Sequence, residues 1–278
     1  MTSRRNFLKA SGGLAASALL LPHFSGAAKV KNVGIQLYTV RKEMLADAVG
    51  TLQQLAKFGY KELESARSEK GNYYGLKPQE IKKIANDLGM TVRSGHVHID
   101  KDWQRSVDMA AEAGQSYLVC SSLPSSGQTV SNYEKCADIF SQSAEDCKDM
   151  NLVFAYHNHD YEFEKKDGKV LYDILLQNTD PKLVKMELDL GWAVLTGNDP
   201  LKYFAKYPGR FPLWHLKDMD KVKKESTEFG KGSIDILKML KNMNKSGVKH
   251  FFVEQEEYTN TALESAKYDF DYLAKLNF

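Results

Sequence analysis

Histidines, carboxylates and one lysine recur two residues apart at the ends of five short apolar runs in this 278-residue chain. The pairs are His96-Val97-His98, His157-Asn158-His159, Glu187-Leu188-Asp189, His215-Leu216-Lys217 and Glu254-Gln255-Glu256. Imidazole together with carboxylate suits one divalent ion of the Mn, Zn, Co or Fe type. The same groups suit proton transfer near neutral pH. A single strand-end histidine is ordinarily a packed or hydrogen-bonded side chain. Five such ends in one chain point to one shared site. Spacing of two puts both partners on one strand face, and near the strand's end both can reach a common opening.

Something must bring those ends together. Short apolar runs begin near Asn32, Tyr60, Thr91, Ser116, Leu152, Leu183, Phe211 and Lys249, and stretches with helical spacing separate them. Each gap holds one helix and two loops, which is the βα unit. The runs are nearly continuous in apolar residues, as parallel strands covered on both faces are. Met44 to Phe58 reads as one helix stopped by Gly59. Pro78 suits a helix's first turn, and Asp102 suits a cap. Ser121–Asn132 and Asp218–Ser233 read as the long loops. Eight units predict an α/β chain folded as a single (β/α)8 barrel, with its site at the C-terminal ends of the strands. No glycine-rich phosphate loop follows the first run, which argues against an open dinucleotide-binding sheet.

The first 28 residues read differently. Ser3-Arg4-Arg5-Asn6-Phe7-Leu8-Lys9 precedes an apolar stretch, Gly12 to Leu21, and a small-residue tail. This is a signal peptide of the twin-arginine type, too short to span a membrane comfortably. It predicts a leader over 1–28, a barrel domain over 29–278 and a periplasmic protein with no membrane span. Overall, 38 Lys and Arg stand against 36 Asp and Glu. Arg4, Arg5 and Lys9 fall in the acid-free leader, so the remainder is close to neutral and no nucleic-acid partner is expected. Three cysteines, Cys120, Cys136 and Cys147, cannot form a closed disulfide framework and read as buried thiols.

The runs Ala155-Tyr156-His157, Leu188-Asp189-Leu190-Gly191, His215-Leu216-Lys217-Asp218 and Val253-Glu254 resemble the xylose-isomerase-like barrel superfamily. This group includes sugar phosphate isomerases and epimerases, inosose dehydratases and related lyases. The resemblance spans Val33 to Phe278 and is most specific at ELDLGW and WHLKD. It implies one divalent metal held from strands five to eight. Asp189, His215 and Glu254 match the pattern at the last three of these strands. Where many epimerases carry a fifth-strand glutamate ligand, this chain has His157. Either His157 replaces it, or His159 or Glu162 does. The Tyr-His-Asn-His run looks closer to the inosose dehydratase and keto-glycoside lyase branch.

The chemistry so implied is proton removal next to a carbonyl, with the metal stabilising an enediolate. The expected ligands are His157, Asp189, His215 and Glu254. His159 or Glu256 is the expected base, and Lys217 steadies negative charge on oxygen. His96, His98, Glu162 and Trp192 are expected to touch a carbohydrate, with Trp103 and Trp214 as further aromatic faces. Export favours an unphosphorylated sugar, keto-sugar or glycoside. A lyase of this kind would need a partner oxidoreductase to supply its keto-substrate. Rival expectations are a plain isomerase or epimerase and a non-catalytic sugar-binding barrel. The sequence carries no signal for an oligomeric state.

Overall fold

Eight parallel strands hydrogen-bond into a closed barrel in the order 1-8-7-6-5-4-3-2. They are Gly34–Gln36, Glu62–Ala66, Thr91–Val97, Tyr117–Cys120, Val153–His157, Lys185–Asp189, Leu213–Leu216 and His250–Val253. This computed structural model describes residues 30–277. The leader therefore lies outside the described residues. No helix among them is long and apolar enough to cross a membrane.

Helices follow the strands and cover the barrel's outer face, as expected. Three boundaries differ from the sequence reading, the smallest difference being that the Ser121–Asn132 loop ends where the helix Val130–Asp149 begins. The stretch expected as one helix from Met44 to Phe58 is two, Arg41–Ala46 and Ala48–Phe58. Asp47 separates them, its carboxylate accepting from Gly50 N at 2.9 Å. That side chain competes for backbone N–H groups and starts a new helix. The Asp218–Ser233 stretch contains an antiparallel hairpin, Asp218–Asp220 against Glu225–Thr227. Asp218 shapes this segment. Its two oxygens accept from the backbone of Met219, Gly230, Gly232 and Ile234 at 2.9–3.1 Å. Asp102 takes the cap position before Trp103–Glu112, but its side chain makes no capping bond. Cys136 and Cys147 share the helix Val130–Asp149, and all three cysteines are free and buried.

The barrel interior is layered. Val119, Ala155, Leu213 and Phe252 pack together as a small buried apolar group, separate from the large outer core. Ala155, Leu213 and Phe252 precede His157, His215 and Glu254 by two residues, so they occupy the same faces one pleat lower. They form a dry floor beneath the titratable strand ends. Gly34 makes room for it. A β-carbon there would lie 2.5 Å from the Phe252 ring, so any other residue would displace that ring.

Candidate metal centre and active site

Backbone register fixes the neighbours above this floor. Asp189 pairs with His215, His157 with Glu187, and Gln36 with Glu64. The side chains converge into two overlapping groups of metal-ligand type. One is His157, Asp189, His215 and Glu254; the other is His96, His157, Glu187 and His215. Within each group, one donor atom per residue lies within 4.8 Å of every other, and all are buried.

His215 joins the two groups. Its Nδ1 lies 2.7 Å from Glu254 Oε2, and its Nε2 lies 2.6 Å from Glu64 Oε1. Glu187 Oε2 lies 2.6 Å from His96 Nε2 and 3.2 Å from both His157 Nδ1 and His215 Nε2. Glu64 is held by Gln36 Nε2 at 2.9 Å and by the Ser94 hydroxyl. Lys217 is fully buried, with its Nζ 3.1 Å from Asp189, 2.9 Å from Glu254 and 2.8 Å from Glu256. Trp192 covers it, the ring centroid 5.0 Å from Nζ.

These contacts set the charges. Burial alone would lower the His96 pKa, but Glu64 and Glu187 raise it to about 9. His215 likewise overcomes burial through Glu187, Glu254 and Glu64 and stays protonated well above the usual range. Lys217 is raised against its burial by Asp189, Glu254 and Glu256. Burial opposes ionisation of Glu187, yet His215 and His96 bring its pKa down to about 2. Asp189 is raised by burial in spite of Lys217. His157 is lowered well below the usual range by burial and then by His215 and His96, so it is a neutral imidazole. Burial, and then the Lys217 charge, bring His159 down to about 4.

The residues fit a divalent cation. His157 Nδ1 and Asp189 Oδ2 are sealed from solvent without a well-formed hydrogen bond, their nearest charged neighbours being Glu187 Oε2 at 3.2 Å and Lys217 Nζ at 3.1 Å. His157 is already the neutral imidazole a metal requires, whereas His215 would have to give up a proton on binding one. Glu64, Glu187, Asp189, Glu254 and Glu256 also outnumber the cations Lys217, His96 and His215. The group of His157, Asp189, His215 and Glu254 has ligand types suited to Zn, Mn, Fe or Co.

A cavity of about 200 Å³ opens beside this group. His157 and Glu254 line it, with His96, His159, Glu256 and Arg67 around them. A family model described as a xylose isomerase-like TIM barrel matches residues 52–276. The chain belongs to that family. A model for the twin-arginine translocation signal matches residues 1–20, which marks the chain for export to the periplasm. An inosose dehydratase of Geobacillus kaustophilus is 29% identical over 36% of this chain and 34% of its own length. The same-named protein of Geobacillus thermodenitrificans is 30% identical over 40% of this chain and 41% of its own. These matches thus span well under half of each curated relative. A crystal structure of a sugar phosphate isomerase/epimerase from Parabacteroides distasonis covers far more. It is 27% identical, with 94% of this chain and 99% of the other aligned at a TM-score of 0.78.

In this xylose isomerase-like barrel the expected site residues divide into three sets. His157, Asp189, His215 and Glu254 come together as one possible ligand group. His96, His98, His159 and Glu256 line the cavity, and Lys217 lies behind Glu256. Glu162 and Trp192 stand elsewhere. Glu162 is completely buried and accepts from the Tyr156 hydroxyl and from His159 N, the latter at 2.8 Å, so it braces His159 from behind. Trp192 is half-buried against Lys217 rather than among the cavity-lining residues. Trp103 and Trp214 are core residues, the first donating to Asp146 at 2.8 Å and the second stacked on Phe204.

Sequence reasoning missed Glu64 and gave Glu187 no role. The signal for both was present. Glu62-Leu63-Glu64 and Glu187-Leu188-Asp189 place acids at spacing two inside apolar strands, where an unpaired charge is costly. Asn158 was missed too. Its side-chain oxygen accepts from Asp189 N at 3.1 Å and so ties the fifth strand's end to the sixth.

Proposed function

We propose that this exported barrel is a divalent-metal-dependent enzyme that removes a carbon-bound proton next to the carbonyl of an unphosphorylated sugar, keto-sugar or glycoside. One observation carries the reading. Four buried metal-type ligands stand beside a cavity that also holds two groups able to move protons, His159 and Glu256. His157, Asp189, His215 and Glu254 would hold the ion. Bound there, a divalent cation supplies electrophilic stabilisation for negative charge on a substrate oxygen.

The chain's own residues do the rest. His159 Nδ1 lies 3.1 Å from the Tyr161 hydroxyl. With Nδ1–H donated to that oxygen, Nε2 carries the lone pair and acts as the base. Glu162 fixes the backbone of His159 in that position. Glu256, charge-paired to Lys217, takes or returns a proton on a substrate hydroxyl. Asp218 and Ser226 hold the loop that orients Glu256, since the Ser226 hydroxyl accepts from Glu256 N at 2.7 Å.

Two observations support an unphosphorylated substrate. Glu254 and Glu256 line the cavity, and its one arginine, Arg67, is already paired with Asp100 at 2.7 Å. That is a poor cradle for a phosphate. Export adds to this, because sugar phosphates are scarce outside the cytoplasm. A keto-sugar substrate would require an oxidation upstream. The matched names, inosose dehydratase and sugar phosphate isomerase/epimerase, describe related carbonyl chemistry and favour an elimination or isomerisation outcome.

The test is hydrogen exchange. Metal-loaded protein in D2O should incorporate deuterium next to the carbonyl of a keto-glycoside, and His159→Asn should abolish this while retaining metal. Exchange by wild type that persists unchanged in His159→Asn would remove the base assignment. Absence of exchange with every keto-sugar offered, despite sugar binding, would favour a binding protein. Product mass then separates elimination, with loss of water or aglycone, from isomerisation.

A further inference from the structure

A second cavity, of about 270 Å³, adjoins the first and shares Arg67 and His98 with it. Ligand pockets generally span ~300–1,000 Å³. The metal-side cavity alone falls short of that range, and the two together enter it. The second cavity lies between the loops after strands two and three. Arg67, Asn72, Asp100, Asp102, Arg105 and Ser106 are among its walls. We propose that the substrate has two units, a reacting sugar ring at the metal group and a second, polar saccharide unit in this adjoining cavity. The inference rests on the functional reading above and adds the substrate class to it.

The chemistry of the walls selects the occupant. Donors and acceptors alternate, Met109 is the one large apolar side chain, and the only ring is the imidazole of His98, with no Phe, Tyr or Trp. An aryl or alkyl group would find no broad apolar face to cover it. Glu69, Asp100 and Asp102 offset Arg67 and Arg105, so the cavity is not an anion site either. A neutral polyhydroxyl unit fits both conditions.

The cavity is also a built feature rather than a slack surface. Arg67 reaches Asp100 at 2.7 Å, which links the two loops. Asp100 in turn accepts from Asp102 N at 2.9 Å. The Tyr73 hydroxyl donates to Met109 O at 3.2 Å and accepts from Gln115 Nε2 at 3.2 Å, pinning the first loop to the helix Trp103–Glu112. Asp102 stands where a capping aspartate would be, yet its side chain does not cap. Its carboxylate and the Arg105 guanidinium have no hydrogen-bond or ion-pair partner among the described side chains, so both are available to hydroxyls at no cost to the fold.

Titration calorimetry with unoxidised sugars tests this without turnover. The probes are glucose, maltose, cellobiose, trehalose, lactose and phenyl β-glucoside, offered to the purified metal-loaded protein. At least one disaccharide should bind about tenfold more tightly than glucose, and Arg105→Ala and Asp102→Ala should each bring that ratio towards one. Both side chains are exposed, so neither variant threatens folding. The proposal is overturned if no disaccharide binds more tightly than glucose. It is also overturned if both variants leave the ratio unchanged, or if the phenyl glucoside outbinds every disaccharide. Failure of the functional reading shows separately, as absent deuterium exchange in a protein that still discriminates disaccharides.

Discussion

The two ligand groups share His157 and His215, so the discriminating substitutions are at the carboxylates they do not share. Consider Glu254→Gln beside Glu187→Gln. Glu254 is at the cavity wall and bonds His215 Nδ1 at 2.7 Å and Lys217 Nζ at 2.9 Å. If the ion sits with His157, Asp189, His215 and Glu254, this substitution removes a charged ligand. A hydrogen bond to a charged group is worth ~1.5–3 kcal/mol, and a doubly charged partner should put the loss at or above the top of that range. At 1.36 kcal/mol per decade this is at least a hundredfold in metal affinity. Glu187, by contrast, would act on the ion only by holding His157 and His215, and loss of such a supporting partner costs ~10–100-fold. The fold should survive Glu254→Gln, since Lys217 keeps Asp189 and Glu256. The assay is metal content by mass spectrometry after dialysis against a graded series of chelator concentrations. Asp189→Asn and Glu254→Gln should release metal first, with His96→Asn and Glu187→Gln holding it longer. The reverse order would place the ion in the deeper group and refute the reasoning.

Lys217→Met should destabilise the fold by about 3–5 kcal/mol in urea unfolding, the usual result of removing one partner from a buried charge cluster; a change under ~1 kcal/mol would mean the carboxylates around it share protons instead. Glu162 is driven by burial to about 7, against an ordinary 4.5, despite the bonds from Tyr156 and His159 N. The folded protein therefore binds this proton where the unfolded chain has released it, so stability should fall as pH rises from about 4.5 to 7, by roughly 3 kcal/mol in all. Glu162→Gln should flatten that part of the stability–pH curve, and an unchanged slope would assign it to other groups. Replacing Arg4 and Arg5 together by lysine should leave the protein in the cytoplasmic fraction; undiminished export would point to a different route.

The fold was legible because two periodicities coincide in this chain. Apolar runs of strand length, separated by helices at βα spacing, leave few arrangements besides a barrel. The exported character was equally legible, since Arg4-Arg5 and the apolar stretch after it are local features. The convergence of four expected side chains was legible as well. His157, Asp189, His215 and Glu254 end their strands, and period two puts them on the barrel's inner face. Glu64 was illegible for a physical reason. It pairs with His215, 151 positions away, across the closed barrel, and strand sequence says nothing of partners across that interior. Glu162 misled because spacing alone cannot tell a side chain that faces the cavity from one that reaches back to brace its neighbour. The split at Asp47 shows the same limit on a smaller scale, where one capping carboxylate outweighs a continuous helical pattern.

The placement of negative charge bears on which outcome of proton removal this barrel favours. Many epimerases of the group that the sequence resembles carry a ligand glutamate on strand five as well as on strand eight. Here the fifth strand ends in His157, and Glu187 stands behind it, sealed from the cavity. His96 and His215 keep Glu187 ionised down to about 2 against the penalty of burial. A carboxylate so buried and so acidic cannot take a proton from a substrate carbon at neutral pH. Proton-moving groups at the cavity are then unlike, an imidazole at His159 on one strand and a carboxylate at Glu256 on another. An elimination needs one group that takes the carbon proton, the role proposed for His159, and cationic stabilisation of the departing oxygen, which Lys217 behind Glu256 can supply. The histidine in place of a fifth-strand glutamate is what supports elimination over symmetrical two-base epimerisation. An elimination would also need room for the group that leaves, and the adjoining cavity of about 270 Å³ offers it.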